Sequence, residues 1–233
     1  MGKNLIQQRR GRGTKTYTSP SFRFKGDAKH YSVAASGVVT NLVHCAGHSA
    51  PLMEVAYTTG TTTNILAPEG IKVGDIVSNV TQEVKPGNVL ALRDIPEGIE
   101  IHNLELHPGD GGKVVRSSGT FAKIVAKTEN EVRVLLPSKK ERVFLPNCRA
   151  AIGMVAGSGR PDKPFLKAGT RFKKMRARNK LYPHVCGISM NAVDHPFGGK
   201  CSHQKGRPTQ SPRSAPPGRK VGKIAPRRTG RRR

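Results

Sequence analysis

Apolar and polar residues alternate with a period of two through much of the middle of this chain, the signature of half-buried strands. Gly37-Val38-Val39-Thr40-Asn41-Leu42-Val43 reads as a first strand, Leu52–Tyr57 as a second and Thr61–Leu66 as a third. Ile71-Lys72-Val73-Gly74-Asp75-Ile76-Val77 alternates cleanly and predicts another. Pro68-Glu69-Gly70-Ile71 is echoed 28 residues later by Pro96-Glu97-Gly98-Ile99, each a Pro/Gly turn feeding a short apolar strand. Beyond Pro108-Gly109-Asp110-Gly111-Gly112-Lys113 a second series begins. Phe121–Lys127 and Val132–Leu136 flank the turn Thr128–Glu131, and Arg142–Leu145 and Ala151–Ala156 follow. Strands this short, with turns this frequent, predict small barrels rather than an α/β sheet, and the second series has the rhythm of an SH3-like barrel.

The ends of the chain lose this period. Residues 1–30 predict an extended arm. Lys163–Lys180 holds the one stretch that predicts a helix, with Phe172, Met175 and Ala177 as a thin apolar stripe among cations. Such a helix is marginal alone and is stabilised against phosphates. After Tyr182 the chain is Pro, Gly and basic residues, with no module expected to fold by itself and too few large apolar residues for a core.

Charge sharpens the division. The net charge is +26, of which residues 1–30 carry +7 and residues 160–233 carry +19, so residues 31–159 are neutral. Cationic arms on a neutral body call for a polyanion, because releasing condensed counterions from phosphates is the strongest drive open to them. Arg outnumbers Lys in the last 15 residues, as two-point phosphate contacts favour. Phe22 and Phe24 alternate with Arg23 and Lys25. Two roles fit them: stacking on bases, or anchoring the arm to the body's core.

Other chemistries are excluded or disfavoured. No apolar run is long enough to span a bilayer, and the start is basic and polar, so neither a membrane nor a signal peptide is expected. Ile6 stands where a myristoylation site needs Ser or Thr. Cys45, Cys148, Cys186 and Cys201 form no CxxC pair, and with His44, His48, His184 and His203 they match no zinc spacing, so isolated thiols and no metal are expected. The glycines before Lys113 do not have P-loop spacing, and Asn79-Val80-Thr81 is a sequon by pattern only. The acids are scattered, with none of the clustering that metal-dependent nucleic-acid enzymes need.

Four segments carry a family resemblance. They are Met190-Asn191-Ala192-Val193-Asp194-His195-Pro196-Phe197-Gly198-Gly199, Ala215–Gly222 with Arg227–Arg231, Ala151–Arg160 with Lys163-Pro164, and Pro108–Gly112. With Gly2-Lys3 and Gln7–Gly13, and in this order, they resemble the universal large-subunit ribosomal protein number two, in its archaeal/eukaryotic form. The resemblance covers essentially the whole chain. It implies a mainly β fold: an OB-like barrel (31–107), then an SH3-like barrel with a short basic helical segment (108–180), between basic extensions (1–30 and 181–233). It implies a cytoplasmic constituent of the ribosome, bound to large-subunit rRNA and neighbouring ribosomal proteins. It places the chain near the subunit interface, the tRNA region and the peptidyl-transferase region, where it supports subunit association, tRNA binding and peptide-bond formation. No cofactor and no enzymatic activity of its own are implied.

On this reading RNA contacts fall to Arg9, Arg10, Arg12, Lys15, Arg23 and Lys25 in the N-terminal arm. Lys113, Arg116, Arg149, Arg160, Lys163 and Lys167 provide contacts from the body. Arg171, Lys173, Lys174, Arg176, Arg178 and Lys180 provide them from the helical segment. Asn191, His195, Lys200, Arg207, Arg213, Arg219, Lys220, Arg227, Arg228 and Arg231 complete the set. His195 is assigned a supporting role rather than acid–base catalysis, since an extended segment would turn Asp194 and His195 in opposite directions. The pattern departs from the family at Lys200, where a third glycine is usual, and at Cys201-Ser202-His203-Gln204. The rival reading, a free OB-type binder of single strands, calls for several aromatics on the barrel faces, and Tyr57 and Phe121 are nearly alone.

Overall fold

β-Branched and aliphatic residues at alternate positions let β1 (Ser36–Val43), β2 (Leu52–Tyr57), β3 (Thr62–Leu66) and β4 (Ile76–Ser78) pair in one antiparallel sheet, ordered β3-β2-β1-β4. The computed structural model describes residues 2–14, 17–18, 24–199 and 209–227. The chain divides into two compact units: residues 21–166, here the body, and residues 1–20 with 167–233, here the basic unit.

In the body, Val39, Met53, Val55 and Ile65 turn one face of the first sheet into core. The outer face keeps Val38 and its cross-strand partner Ile76 at 43% and 70% exposure. A strand is expected over 71–77, but only Ile76 and Val77 join one. The Asp75 carboxylate accepts the Lys72 N–H at 2.9 Å, and Gly74 adopts φ +95°, so turn chemistry takes the first half of the alternating run.

The second sheet contains β5 (Val89–Ala91), β6 (Glu100–His102), β7 (Ala122–Lys127), β8 (Val132–Leu135), β9 (Glu141–Phe144) and β10 (Arg149–Ile152). Its order is β5-β10-β6-β7-β8-β9, with every pairing antiparallel. Leu92, Ile95, Ile101, Leu104, Ile124, Val132 and Val134 fill its core. β5 and β6 lie before the expected domain division at 107/108, yet both hydrogen-bond to β10. The change of sheet therefore falls between Ser78 and Val89. The sheets meet where the Glu69 N–H donates to the Met154 carbonyl (2.8 Å) and the Ala156 N–H to the Ala67 carbonyl (3.0 Å). Ala28, Cys45, Leu52, Leu66 and Val155 pack at this seam. Phe24 packs on the same cluster and stacks on His48 at 5.5 Å, so of its two candidate roles the structure gives it the anchoring one. Phe22 lies outside the described residues.

The basic unit joins both ends of the chain, which the sequence presents as separate extensions without a core. It holds α1 (Ile6–Arg10), α2 (Ala168–Ala177), a 3-10 turn at Gly187–Ser189, and the short parallel pair β11 (Gln210–Ser211) and β12 (Lys223–Ile224). Leu5, Phe197 and Val221 are buried together with Ile188 against them. The Lys3 N–H donates to the Val193 carbonyl (2.7 Å), and the Gln7 side-chain amide to the Lys220 carbonyl (2.9 Å). Single apolar residues this far apart leave no local pattern, which is why a small core forms where composition predicts none.

Candidate nucleic-acid interface

The basic unit contains 24 of the chain's 41 Lys/Arg and one of its 15 acidic residues, a balance of +23. The body is left with +3. The lone acid, Asp194, faces Lys3 Nζ at 3.5 Å. Charge that the sequence places at two separate ends is thus gathered into one compact unit, and this concentrates the field that would attract a polyanion.

Helix α2 is the clearest carrier of that field. It spans Ala168–Ala177, inside the broader 163–180 expected, and buries none of its residues. Its end is set by a Schellman turn. Asn179 sits at φ +48°, its N–H reaches the Arg176 carbonyl (3.1 Å), and the Lys180 N–H reaches the Met175 carbonyl (2.9 Å). Arg171, Lys173, Arg176 and Lys180 are exposed, and Lys174 and Arg178 are half-buried. With no fully buried apolar residue to stabilise it, α2 carries the composition of a helix stabilised by phosphates.

Elsewhere in the basic unit, Arg9, Arg10, Arg12, Lys167, Asn191, Arg213, Arg219 and Arg227 are exposed and Lys220 is half-buried. The Arg10 guanidinium lies over the Tyr17 ring at 5.9 Å. Lys15, Lys200, Arg207, Arg228 and Arg231 fall outside the described residues, as does Arg23 of the body.

The body's candidates divide into two groups. Lys25, Lys113, Arg160 and Lys163 are exposed, although Arg160 Nε also donates to Ser118 Oγ at 2.8 Å. Arg116 and Arg149 are engaged within the fold. Arg116 Nη2 donates to the Ala28 carbonyl at 2.7 Å. Arg149 donates from Nη2 to Glu105 Oε1 (2.9 Å) and from Nη1 to the Tyr31 carbonyl (2.7 Å). Its charge holds the body together.

His195 lies in a turn rather than in the extended segment expected. The N–H groups of Asp194 and His195 both donate to the Asn191 carbonyl. The Phe197 N–H donates to His195 Nδ1 at 3.0 Å, so the neutral ring carries its proton on Nε2. Burial lowers its pKa and favours that neutral form. Gly187 lies flat against one side of the ring, where any Cβ would collide with it, and Phe197 tilts against it at 5.0 Å. Gly198 is required as well, since a Cβ there would strike the carbonyls of Met190 and Asn191. The result is an imidazole held in one orientation as a hydrogen-bond donor.

The thiols of Cys45, Cys148 and Cys186 are free, and Cys45 Sγ lies 3.2 Å from His48 Nδ1. Among the described residues no helix is long and apolar enough to cross a membrane.

Residues 85–216 match the family described as Ribosomal Proteins L2, C-terminal domain. The large ribosomal subunit protein uL2 of Methanococcoides burtonii is 51% identical, with all of both chains covered. The chain belongs to the uL2 family. The uL2 proteins of Natronomonas pharaonis and Archaeoglobus fulgidus are each 48% identical; the first covers 99% of this chain and 97% of its own length, the second all of both. The match to the Methanococcoides burtonii protein takes in both the near-neutral body and the basic unit.

Proposed function

We propose that this chain is a structural constituent of the large ribosomal subunit that acts by binding ribosomal RNA and not by catalysis. The carrying observation is the +23 balance of the basic unit against +3 for the body, with no residue of α2 fully buried. Phosphates satisfy such a surface, and recognition is of RNA shape and backbone. The four-stranded sheet takes the OB-like part of the body and the six-stranded sheet the SH3-like part. Arg and Lys of the basic unit grip the RNA, while the body meets neighbouring ribosomal proteins. His195, fixed as a neutral donor, shapes the RNA near the peptidyl-transferase region, and through that region the chain supports tRNA binding and subunit association.

A free single-strand binder fits less well. Tyr57, one of the two aromatics available for it, is buried and stacked on Tyr31 at 4.3 Å. The exposed face of the first sheet offers Val38 and Ile76, which are aliphatic.

Sedimentation of cell lysate on sucrose gradients, with and without ribonuclease, tests the reading. The chain is expected to travel with the large subunit through high salt and to leave only when RNA is cut. A chain that stays at the top, or leaves in moderate salt, overturns it.

A further inference from the structure

The Schellman turn after α2 does more than end the helix. It folds Leu181 and Tyr182 back beside the face that carries Phe172, Arg176 and Asn179, which lie at positions i, i+4 and i+7. The Arg171 guanidinium rests over the Tyr182 ring at 5.2 Å and holds it in place. Between these groups lies an open groove of about 280 Å³, bounded by Phe172, Arg176, Asn179, Lys180, Leu181 and Tyr182. Phe172 is 45% exposed although it is a large aromatic.

We propose that this groove holds one nucleobase extruded from the stack of a folded RNA. Its walls are aromatic and aliphatic, which suits the face of a base. Its rim carries Arg176 and Lys180, which suit the flanking phosphates. The chain has only 11 Phe and Tyr residues, and two of them line this groove. A site for phosphate alone has no use for aromatic walls. An acidic residue is absent from the whole of 163–193, so nothing nearby competes for the cations or repels a nucleotide. This rests on the RNA-binding reading above and adds to it a defined contact with a base.

The test uses large subunits assembled with the full chain, either unaltered or carrying Phe172→Leu or Phe172→Tyr. Ultraviolet cross-links are mapped by mass spectrometry, and base reactivity is read with dimethyl sulfate. A cross-link from Phe172 or Tyr182 to a single base is expected. Phe172→Leu should weaken it at least about five-fold, the low end of what loss of one base–aromatic stack removes. That base should also become reactive, and Phe172→Tyr should restore both signals. Phe172 is 45% exposed and no residue of α2 is fully buried, so Phe172→Leu is expected to leave the fold intact; Tyr182→Leu serves as a second variant. Cross-links confined to the RNA backbone or to a protein neighbour, with base reactivity unchanged in Phe172→Leu and Tyr182→Leu, would overturn the base site while leaving RNA binding in place. Failure of the unaltered chain to enter the particle would instead overturn the function proposed above.

Discussion

The Glu105 carboxylate, fully buried, takes hydrogen bonds from both the side chain and the backbone N–H of Arg149, at 2.9 Å each for the closest pair of atoms. It also accepts the N–H groups of Gly109 and Gly111. Burial alone would raise its pKa, but the hydrogen bonds from Arg149 and Gly109 outweigh burial and hold the carboxyl below its ordinary value. Glu105→Gln leaves Arg149 half-buried without its counter-charge. The body should lose about 3–5 kcal/mol, read as a lower urea midpoint by circular dichroism. A change under about 1 kcal/mol would show that water replaces the lost partner.

His30 is buried, and its Nε2 donates to the Asn103 carbonyl at 2.6 Å. Burial lowers its pKa from 6.5 to about 4. The unfolded chain therefore takes up a proton below pH 6.5 that the folded chain refuses down to about 4. The stability His30 contributes is complete above 6.5 and is lost as pH falls across that window, on the order of 3 kcal/mol in all. Urea midpoints at neutral pH and near pH 5 should differ in the native chain and differ less in His30→Gln. Equal slopes in the two proteins would assign the acid sensitivity to other groups.

Gly187→Ala puts a methyl group where the His195 ring now lies. The ring must turn, at a cost of roughly 1–3 kcal/mol, and its hydrogen bond from Phe197 lengthens. Histidine NMR should show the His195 pKa moving back toward its ordinary value as burial is relieved. His195→Ala, by contrast, is expected to permit assembly and to lower translational activity of the assembled particles. Unchanged activity would remove any special role for the residue.

Leu5→Ala empties part of the Leu5, Phe197 and Val221 cluster. With so few apolar contacts in the basic unit, roughly 2–4 kcal/mol is enough to open it. Hydrogen exchange at Val221 and Lys223 should speed up at least ten-fold in the free protein, while exchange in β2 and β8 stays as it is.

Much of the body is legible in the sequence. Leu52–Tyr57 and Val132–Leu135 alternate between defined turns, and both are strands with nearly the ends expected. Ile71–Val77 shows the limit: alternation reports which way side chains face, not whether the backbone finds a partner, and Asp75 and Gly74 close a turn there. Arg149 shows another. Its positive charge is plain in the sequence, but its partner is 44 residues away, so nothing local tells a buried ion pair from a phosphate contact. The basic helix was visible from composition. The groove beside it was not, because it depends on a left-handed Asn179 that returns the chain across the helix.

The Leu5, Phe197 and Val221 cluster also sets an order of events. Synthesis runs from the N-terminus, so Leu5 leaves the tunnel with most of the chain still unmade. The body can close on itself as soon as Val155 and Ala156 emerge behind β10. The basic unit cannot, since it waits for Val221. Throughout that interval Leu5 lacks the apolar residues it packs on, and a cell full of nucleic acid surrounds the arginines of α1. The arrival of Val221 thus decides when Leu5 and α1 are drawn out of reach of misplaced binding.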